Sequence, residues 1–247
     1  MVRLVPSSIF VKDPKDVWGK ETTIGLAEHA ARLGSPMTYD RRGDILWYDD
    51  FENNTNMWVI TGGGSVNRST DYSVSGAYSY KLTTPSVADQ NTGIFTVIEH
   101  PVVTTRIGHE IAFTKHDDHK YIELDSEIYD GSYGYISKIR IDVQNNKLQY
   151  YGSDLSWHDI ASGVVLEDDY IGIPVFYSMK YVIDLSTQKY VRCLLANTEY
   201  DMSDYSFYYG ATGAAPQMRI KILSYTNVNS AIESYVDRVI ITRNEPE

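Results

Sequence analysis

The stretch IRIDVQNNKLQY, residues 139–150, decides the fold class. Apolar and polar residues alternate on both sides of Asn145-Asn146, a pair that tolerates the positive φ angles of a type I′ turn. The pattern predicts a β-hairpin with the turn at this pair. One face of the hairpin should be apolar and should consist of Ile139, Ile141, Val143, Leu148 and Tyr150.

Similar short segments continue on both sides of this hairpin. Residues 180–184 and 189–195 predict a second hairpin around a turn at 185–188, and residues 235–241 predict a last strand. Gly, Asn, Asp and Ser separate such segments from about residue 45 onwards, with no clear helix among them. The chain is therefore predicted to be mainly β, with two antiparallel sheets and with its first and last strands side by side.

The first 43 residues have a different character, and we interpret them as an N-terminal arm before a β-sandwich domain of residues 44–247. One short helix is predicted at about residues 23–33, because Ile24, Leu26 and Leu33 lie on one apolar stripe that ends before Gly34. A helix this short needs a surface to dock on. These three residues and Trp18 are the predicted partner-docking residues.

Composition restricts the classes of partner. The net charge of −11 argues against binding to nucleic acid or to an anionic membrane surface. No apolar stretch approaches the length of a membrane span, and residues 1–8 do not have the apolar core of a signal peptide, so we expect no export signal. The single cysteine, Cys193, lies in an apolar segment and predicts a buried thiol.

Two segments near the start of the β region resemble carbohydrate-binding modules of the jelly-roll type. They are Asp49-Asp50-Phe51-Glu52 with Trp58, and the segment VSGAYSYKL at residues 74–82. Farther along, residues 146–160 and 181–190 are similar to laminin-G and concanavalin A-like sandwiches. The resemblance covers most of residues 45–243 and implies an antiparallel jelly-roll, concanavalin-like β-sandwich.

The arrangement of a short arm before the β region, including residues 41–52 at their junction, also resembles uncharacterised structural proteins of phages and environmental viruses. This resemblance implies a non-enzymatic virion protein that decorates a capsid or associates with a tail. The arm would dock on a capsid or tail protein or on the protein's own subunits, for which a trimer is the expectation. Such a protein would be made in the host cytoplasm and displayed on the virion surface.

In the carbohydrate-binding modules a structural calcium ion often joins the first strand to the last. The matching residues here are Asp49, Asp50, Glu52 and Asp237. Calcium needs six to eight oxygen ligands, which these carboxylates and nearby backbone carbonyls could supply together. Ordinary exposed acids at strand ends are the alternative interpretation, and no other cofactor is expected.

Carbohydrate binding is the alternative function, and tyrosines are its candidate ligands because aromatic rings stack on sugar rings. Two groups are predicted to bind a glycan, one of Tyr129, Tyr133 and Tyr135 and one of Tyr205, Tyr208 and Tyr209. The same rings could instead pack at the edges of the sandwich or at a subunit interface.

A concanavalin-like glycan hydrolase or lyase is the third hypothesis. Glu123, Asp125 and Glu127 lie on one face of a predicted strand, as paired catalytic carboxylates would. However, the same alternation is typical of an ordinary strand with one face in solvent, and no second catalytic motif follows. The sequence therefore predicts no catalytic residue and a protein that is not an enzyme.

Overall fold

The computed structural model describes residues 40, 42–53, 57–99 and 105–247, and within them it contains strands and no helix. The first strand begins at Asp44. The predicted helix at 23–33 and the predicted docking residues Trp18, Ile24, Leu26 and Leu33 lie outside the described residues. The division into an arm and a domain therefore stays a prediction.

The first sheet contains eight strands in antiparallel pairing. Its strands in chain order are β1 (Asp44–Asp49), β3 (Ser65–Ser69), β4 (Ser79–Thr83), β6 (Arg106–Thr114), β13 (Phe176–Asp184), β14 (Lys189–Leu195), β15 (Thr198–Asp201) and β18 (Glu233–Arg243). Their spatial order is β15-β14-β13-β6-β18-β4-β3, and β1 also pairs with β18.

The second sheet also contains eight antiparallel strands. They are β2 (Val59–Gly62), β5 (Asn91–Glu99), β7 (His119–Tyr129), β8 (Tyr133–Asp142), β9 (Lys147–Tyr151), β10 (Trp157–Ser162), β16 (Tyr208–Ala211) and β17 (Gln217–Thr226). Their order is β10-β9-β8-β7-β17-β5-β2, with β16 paired to β8. The two-residue strands β11 (Asp169–Tyr170) and β12 (Ile173–Pro174) form a separate small hairpin.

The two sheets pack face to face around one apolar core. Alternate residues of each strand point inward, for example Ile111 and Phe113 on β6 and Leu124 and Ile128 on β7, all of them buried. Cys193 is also fully buried, as predicted. The prediction of a mainly β sandwich with two antiparallel sheets is confirmed, whereas the jelly-roll assignment stays a prediction.

The hairpin that decided the fold class exists, but its turn is wider than predicted. Ile139 pairs with Tyr150 and Ile141 with Leu148, as the alternation requires. The last pair is Asp142 with Lys147, so four residues, 143–146, form the turn instead of two. The Asp142 carboxylate accepts a hydrogen bond from the Asn145 N–H, and this bond stabilises the wider turn.

Two other topological predictions are confirmed. Strands β13 and β14 form the second predicted hairpin, with its turn at residues 185–188. The first described strand pairs with the last, from Asp44 opposite Arg243 to Asp49 opposite Val239.

The buried Tyr190 side chain links the two sheets by hydrogen bonds. On one edge of β8, residues up to Ile136 pair with β16 and residues from Ile139 pair with β9, which leaves Lys138 between them without a strand partner on that side. The Tyr190 hydroxyl accepts from Lys138 N at 2.9 Å and lies 2.9 Å from the Tyr151 carbonyl oxygen and 3.1 Å from that of Lys138. It therefore substitutes for the missing backbone partner.

We predict that Tyr190→Phe lowers the free energy of unfolding by about 1–3 kcal/mol, because it leaves buried backbone groups without a partner. Urea denaturation of the purified variant measures the loss. Tyr200→Phe is the matched control, since the Tyr200 hydroxyl has no hydrogen-bond partner among the described residues and the ring only packs against the core. Equal stabilities of the two variants would contradict the bridging role.

Candidate functional site

The outer face of the second sheet carries a dense group of charged and aromatic side chains, which we call the charged face. Strands β7, β8 and β17 lie side by side at its centre, and alternation along each strand turns the polar residues away from the core. The charged face consists of Tyr121, Glu123, Asp125 and Glu127 on β7, Lys138 and Arg140 on β8, Gln149 and Tyr151 on β9, Trp157 and Asp159 on β10, and Arg219, Lys221 and Tyr225 on β17.

The strand register places opposite charges directly across from one another. Asp125 is opposite both Lys138 and Lys221, and Lys138 Nζ lies 2.8 Å from Asp125 Oδ2. Arg219 is opposite Glu127, and its Nη1 donates to Glu127 Oε2 at 3.1 Å. Cross-strand pairs of this kind stabilise a sheet and hold each long side chain in one orientation.

Glu123 and Asp125 form a buried acid pair at the centre of the charged face. Their relative exposures are only 5% and 1%, because the surrounding side chains cover them. Burial, together with the charge of Asp125 and a hydrogen bond to it, raises the pKa of Glu123 to about 8. A neutral Glu123 can donate its proton to Asp125, whose buried Oδ1 has no other hydrogen-bond partner among the described residues.

Arg140 lies between two aromatic rings on the same face. Its guanidinium carbon is 3.9 Å from the centroid of the Tyr121 ring and 4.1 Å from that of Trp157. Its Nε donates to Gln149 Oε1 at 2.8 Å, and Gln149 Nε2 in turn donates to Asp159 Oδ1 at 2.7 Å. These contacts fix both the plane and the direction of the guanidinium group.

The structure brings together three of the six predicted tyrosines, two from one group and one from the other, because β16 pairs with β8. Tyr133 and Tyr135 on β8 meet Tyr209 on β16, with ring centroids 4.9 Å and 5.3 Å apart. By alternation these three rings lie on the core side of the sheet, at its end. They form a cluster that is separate from the charged face.

The other three predicted tyrosines do not join that cluster. Tyr129 lies on the outer side of β7, where its hydroxyl donates to Glu127 Oε2 at 3.1 Å. Tyr205 stacks on Tyr150 with ring centroids 4.5 Å apart, and Tyr208 lies on the opposite side of β16 from Tyr209. A glycan-binding role for the six tyrosines stays a prediction.

Two of the predicted calcium ligands have their carboxylates occupied by hydrogen bonds. Asp49 accepts from the Phe51 N–H and from Trp58 Nε1, both at 2.8 Å. Glu52 Oε1 accepts from the N–H groups of Ala77 and Tyr78 at 2.8 and 2.7 Å. These acids stabilise the turns around the first strand directly.

Asp237 fits a cation better than Asp49 or Glu52 does. Its Oδ2 accepts from Val74 N and Ser75 N at 2.6 and 3.0 Å, while its buried Oδ1 has no hydrogen-bond partner among the described residues. Burial raises the pKa of Asp237 to about 6, and the charge of Asp50 adds to the shift. Within the described residues no group of three or more His, Cys, Asp or Glu could hold a metal ion, so calcium stays a prediction.

A buried histidine and serine in contact do not form a nucleophilic pair. His119 Nε2 lies 2.7 Å from Ser224 Oγ, but His119 Nδ1 accepts a hydrogen bond from the His116 N–H. The Nε2 atom of neutral His119 must therefore carry the proton and donate it to the serine. A histidine in this tautomer cannot act as the base that activates Ser224.

Sequence reasoning identified the acids of β7 but expected them to face solvent, and it missed the basic and aromatic part of the charged face. The alternation Lys138-Ile139-Arg140-Ile141 indicates which side chains share a face with one another. It does not indicate that β17, about 80 residues later, lies on the other side of β7. The sequence also gives no local sign that Trp157, on β10, contacts Arg140 on β8.

Comparisons with known proteins support the fold and not a family. No family model matches the sequence, and no curated protein matches it. Among solved structures, an endo-β-1,4-glucuronan lyase from the fungus Trichoderma reesei is similar with a TM-score of 0.55 and 10% identity, over 81% of this chain and 96% of that one.

Two further solved structures have comparable similarity. A carbohydrate esterase from the Shiga toxin-encoding bacteriophage phi24B has a TM-score of 0.54 and 9% identity, over 82% of this chain and 100% of that one. The carbohydrate recognition domain of Emp46p has a TM-score of 0.51 and 10% identity, over 78% and 94%. These likenesses confirm the predicted β-sandwich fold.

We predict that Glu123→Gln changes the pH dependence of stability. The folded-state pKa of Glu123, about 8, exceeds its ordinary value of 4.5, so the stability it contributes is complete below pH 4.5 and is lost as the pH rises through 8. Glutamine does not ionise, yet its amide can still donate to Asp125. As the pH rises across this range, the free energy of unfolding of the wild type should fall relative to that of the variant by up to about 1.4 kcal/mol per pH unit.

Urea denaturation of both proteins at several pH values between 5 and 9 measures this difference. In the folded protein both side chains are neutral at pH 5. The difference in stability at pH 5 therefore serves as the baseline, and the change in that difference at higher pH is free of any packing effect of the substitution. Two stability curves that run parallel from pH 5 to pH 9 would contradict the neutral state of Glu123.

Proposed function

We propose that the protein binds a carbohydrate on the charged face without transforming it. The observation that carries the proposal is the set of polar side chains that hold one another in fixed orientations beside aromatic rings, with Arg140 between Tyr121 and Trp157 as its centre. Fixed hydrogen-bonding groups beside aromatic rings are what a sugar-binding surface requires, because little side-chain entropy is lost on binding.

The structural neighbours support this choice of ligand class. The carbohydrate recognition domain and the glucuronan lyase, both named for their relation to carbohydrates, share this fold with TM-scores above 0.5. A shared fold is compatible with many functions, so the proposal rests on the charged face and the neighbours add to it.

Binding without catalysis is preferred because the acid pair has the wrong arrangement for hydrolysis. Glycosidases use two carboxyl groups about 5–10 Å apart, with the sugar between them. Glu123 and Asp125 are instead neighbours on the same face of one strand, and both are buried. A lyase or hydrolase acting on the same face is the alternative that an activity measurement would reveal.

We expect a broad glycan array to give at least one hit and Trp157→Ala to weaken that binding at least tenfold, because the variant removes one of the two rings that orient Arg140. Tyr133→Ala, in the separate tyrosine cluster, is the matched control and should bind as the wild type does. Circular dichroism checks that both variants fold.

Each other outcome has a distinct meaning. The absence of any hit would contradict carbohydrate binding. Loss of binding in Tyr133→Ala alone would move the site to the tyrosine cluster. Release of shorter products from the bound glycan would contradict binding without turnover.

A virion structural role is the second candidate, and the similarity to a bacteriophage esterase is the observation that favours it. In this proposal the sandwich is displayed on the virion surface, and residues 1–43 dock on a capsid or tail protein or on the protein's own subunits. The two candidates are compatible, since a displayed sandwich could bind a surface glycan.

An assembly role predicts a stable oligomer of the 28.1 kDa chain, with three copies as the expected number. The native mass of the full chain, measured by light scattering after size exclusion, tests this expectation. A monomer at micromolar concentration would argue against self-association and leave a capsid or tail partner as the remaining form of this proposal.

A further inference from the structure

The cations of the charged face differ in whether they have a counterion. Lys138 and Lys221 lie within 3.9 Å of Asp125, and Arg219 bonds to Glu127. Arg140 has no salt-bridge partner in the part of the chain that the structure describes, although its cross-strand neighbour on β7 is an acid, Glu123. Burial lowers the pKa of Arg140, and the charges of Tyr121, Glu123 and Asp142 offset this shift only in part.

The acid opposite Arg140 does not neutralise it. Glu123 is the buried acid with a pKa of about 8, so it is uncharged at neutral pH. The next acid, Asp142, accepts hydrogen bonds from the backbone and the side-chain amide of Asn145 at the hairpin turn. Arg140 therefore retains an unpaired positive charge on a chain whose net charge is −11.

The free part of Arg140 has a defined shape. The guanidinium carbon lies over the rings of both Tyr121 and Trp157, and Nε donates a hydrogen bond to Gln149. The two terminal nitrogens, Nη1 and Nη2, make no hydrogen bond to any described residue. Together they form a planar fork of donors, which matches the two oxygens of a carboxylate.

We propose that Arg140 binds the carboxylate of a uronic acid unit, so that the carbohydrate of the charged face is an acidic polysaccharide. This inference rests on the proposed function and specifies its ligand class. Sulfated sugars offer a related anionic group, but their tetrahedral oxygens match a planar fork less well than a carboxylate does.

The test uses the 247-residue chain and two polymers that differ only in the carboxylate. Polygalacturonic acid and the same polymer with its carboxyl groups reduced to alcohols are titrated in parallel by calorimetry at 0.15 M salt. We expect binding of the acid polymer and at least tenfold weaker binding of the reduced polymer. This comparison involves no mutation and is therefore independent of any folding defect.

Variants then locate the contact. Arg140→Met should weaken binding of the acid polymer at least tenfold, and Arg140→Lys should restore little of it, because lysine has the charge but not the planar fork. Lys81→Met is the matched control: it removes one charge from a lysine that lies near the Tyr235 ring on the other sheet and bonds to Glu233. It should leave binding unchanged.

The outcomes separate this inference from the proposed function. Equal binding of the acid and reduced polymers, a preference for a sulfated glycan without uronic acid such as dextran sulfate, or undiminished binding by Arg140→Met would overturn the uronate inference while carbohydrate binding stands. Binding only to unrelated neutral glycans on the array would do the same. No binding to any glycan would overturn both.

Discussion

Strand β7 is paired on both sides, with β8 and with β17, and the rest of the second sheet depends on this double pairing. Because side chains alternate along a strand, the register that buries Leu124 and Ile128 also fixes Glu123 and Asp125 on the outer face. A shift of one residue would expose the core and bury three acids inside it. The apolar core thus determines where the acids of the charged face lie.

The crowding of these acids explains the chemistry around them. Two carboxylates placed side by side under other side chains repel each other and lose their hydration. The fold offsets this cost in two ways, with Lys138 beside Asp125 and with a proton retained on Glu123. Ion pairs that are largely buried contribute little net stability, so this arrangement is better understood as a means of fixing side-chain positions than as a source of stability.

The sequence predicted where strands occur better than it predicted which strands pair with one another. The alternation around residues 139–150 and 180–195 gave two hairpins with the correct strand pairs, because hairpin strands are joined by local turns. The predicted width of the first turn was wrong, because a hydrogen bond to the Asp142 carboxylate competes with the preference of Asn145-Asn146 for a two-residue turn. Partners distant in sequence, such as β7 with β17 or β8 with β16, leave no local signal.

The same limit explains why the candidate sites were only partly predicted. Glu123 was recognisable from its strand, but its burial depends on Lys138 and Arg140 from β8 and on Lys221 and Tyr225 from β17. The acids near the first and last strands resemble a set of calcium ligands. Glu52 and Asp237 nevertheless accept hydrogen bonds from the N–H groups of residues 74, 75, 77 and 78. A carboxylate can hold a loop either by binding an ion that the loop also binds or by accepting hydrogen bonds from the N–H groups of the loop. The same acidic sequence pattern is found in both cases, so the sequence alone does not distinguish them. Since Asp237 uses only its Oδ2 for these hydrogen bonds, a cation at its Oδ1 would add a second contact to a loop that the N–H groups also hold.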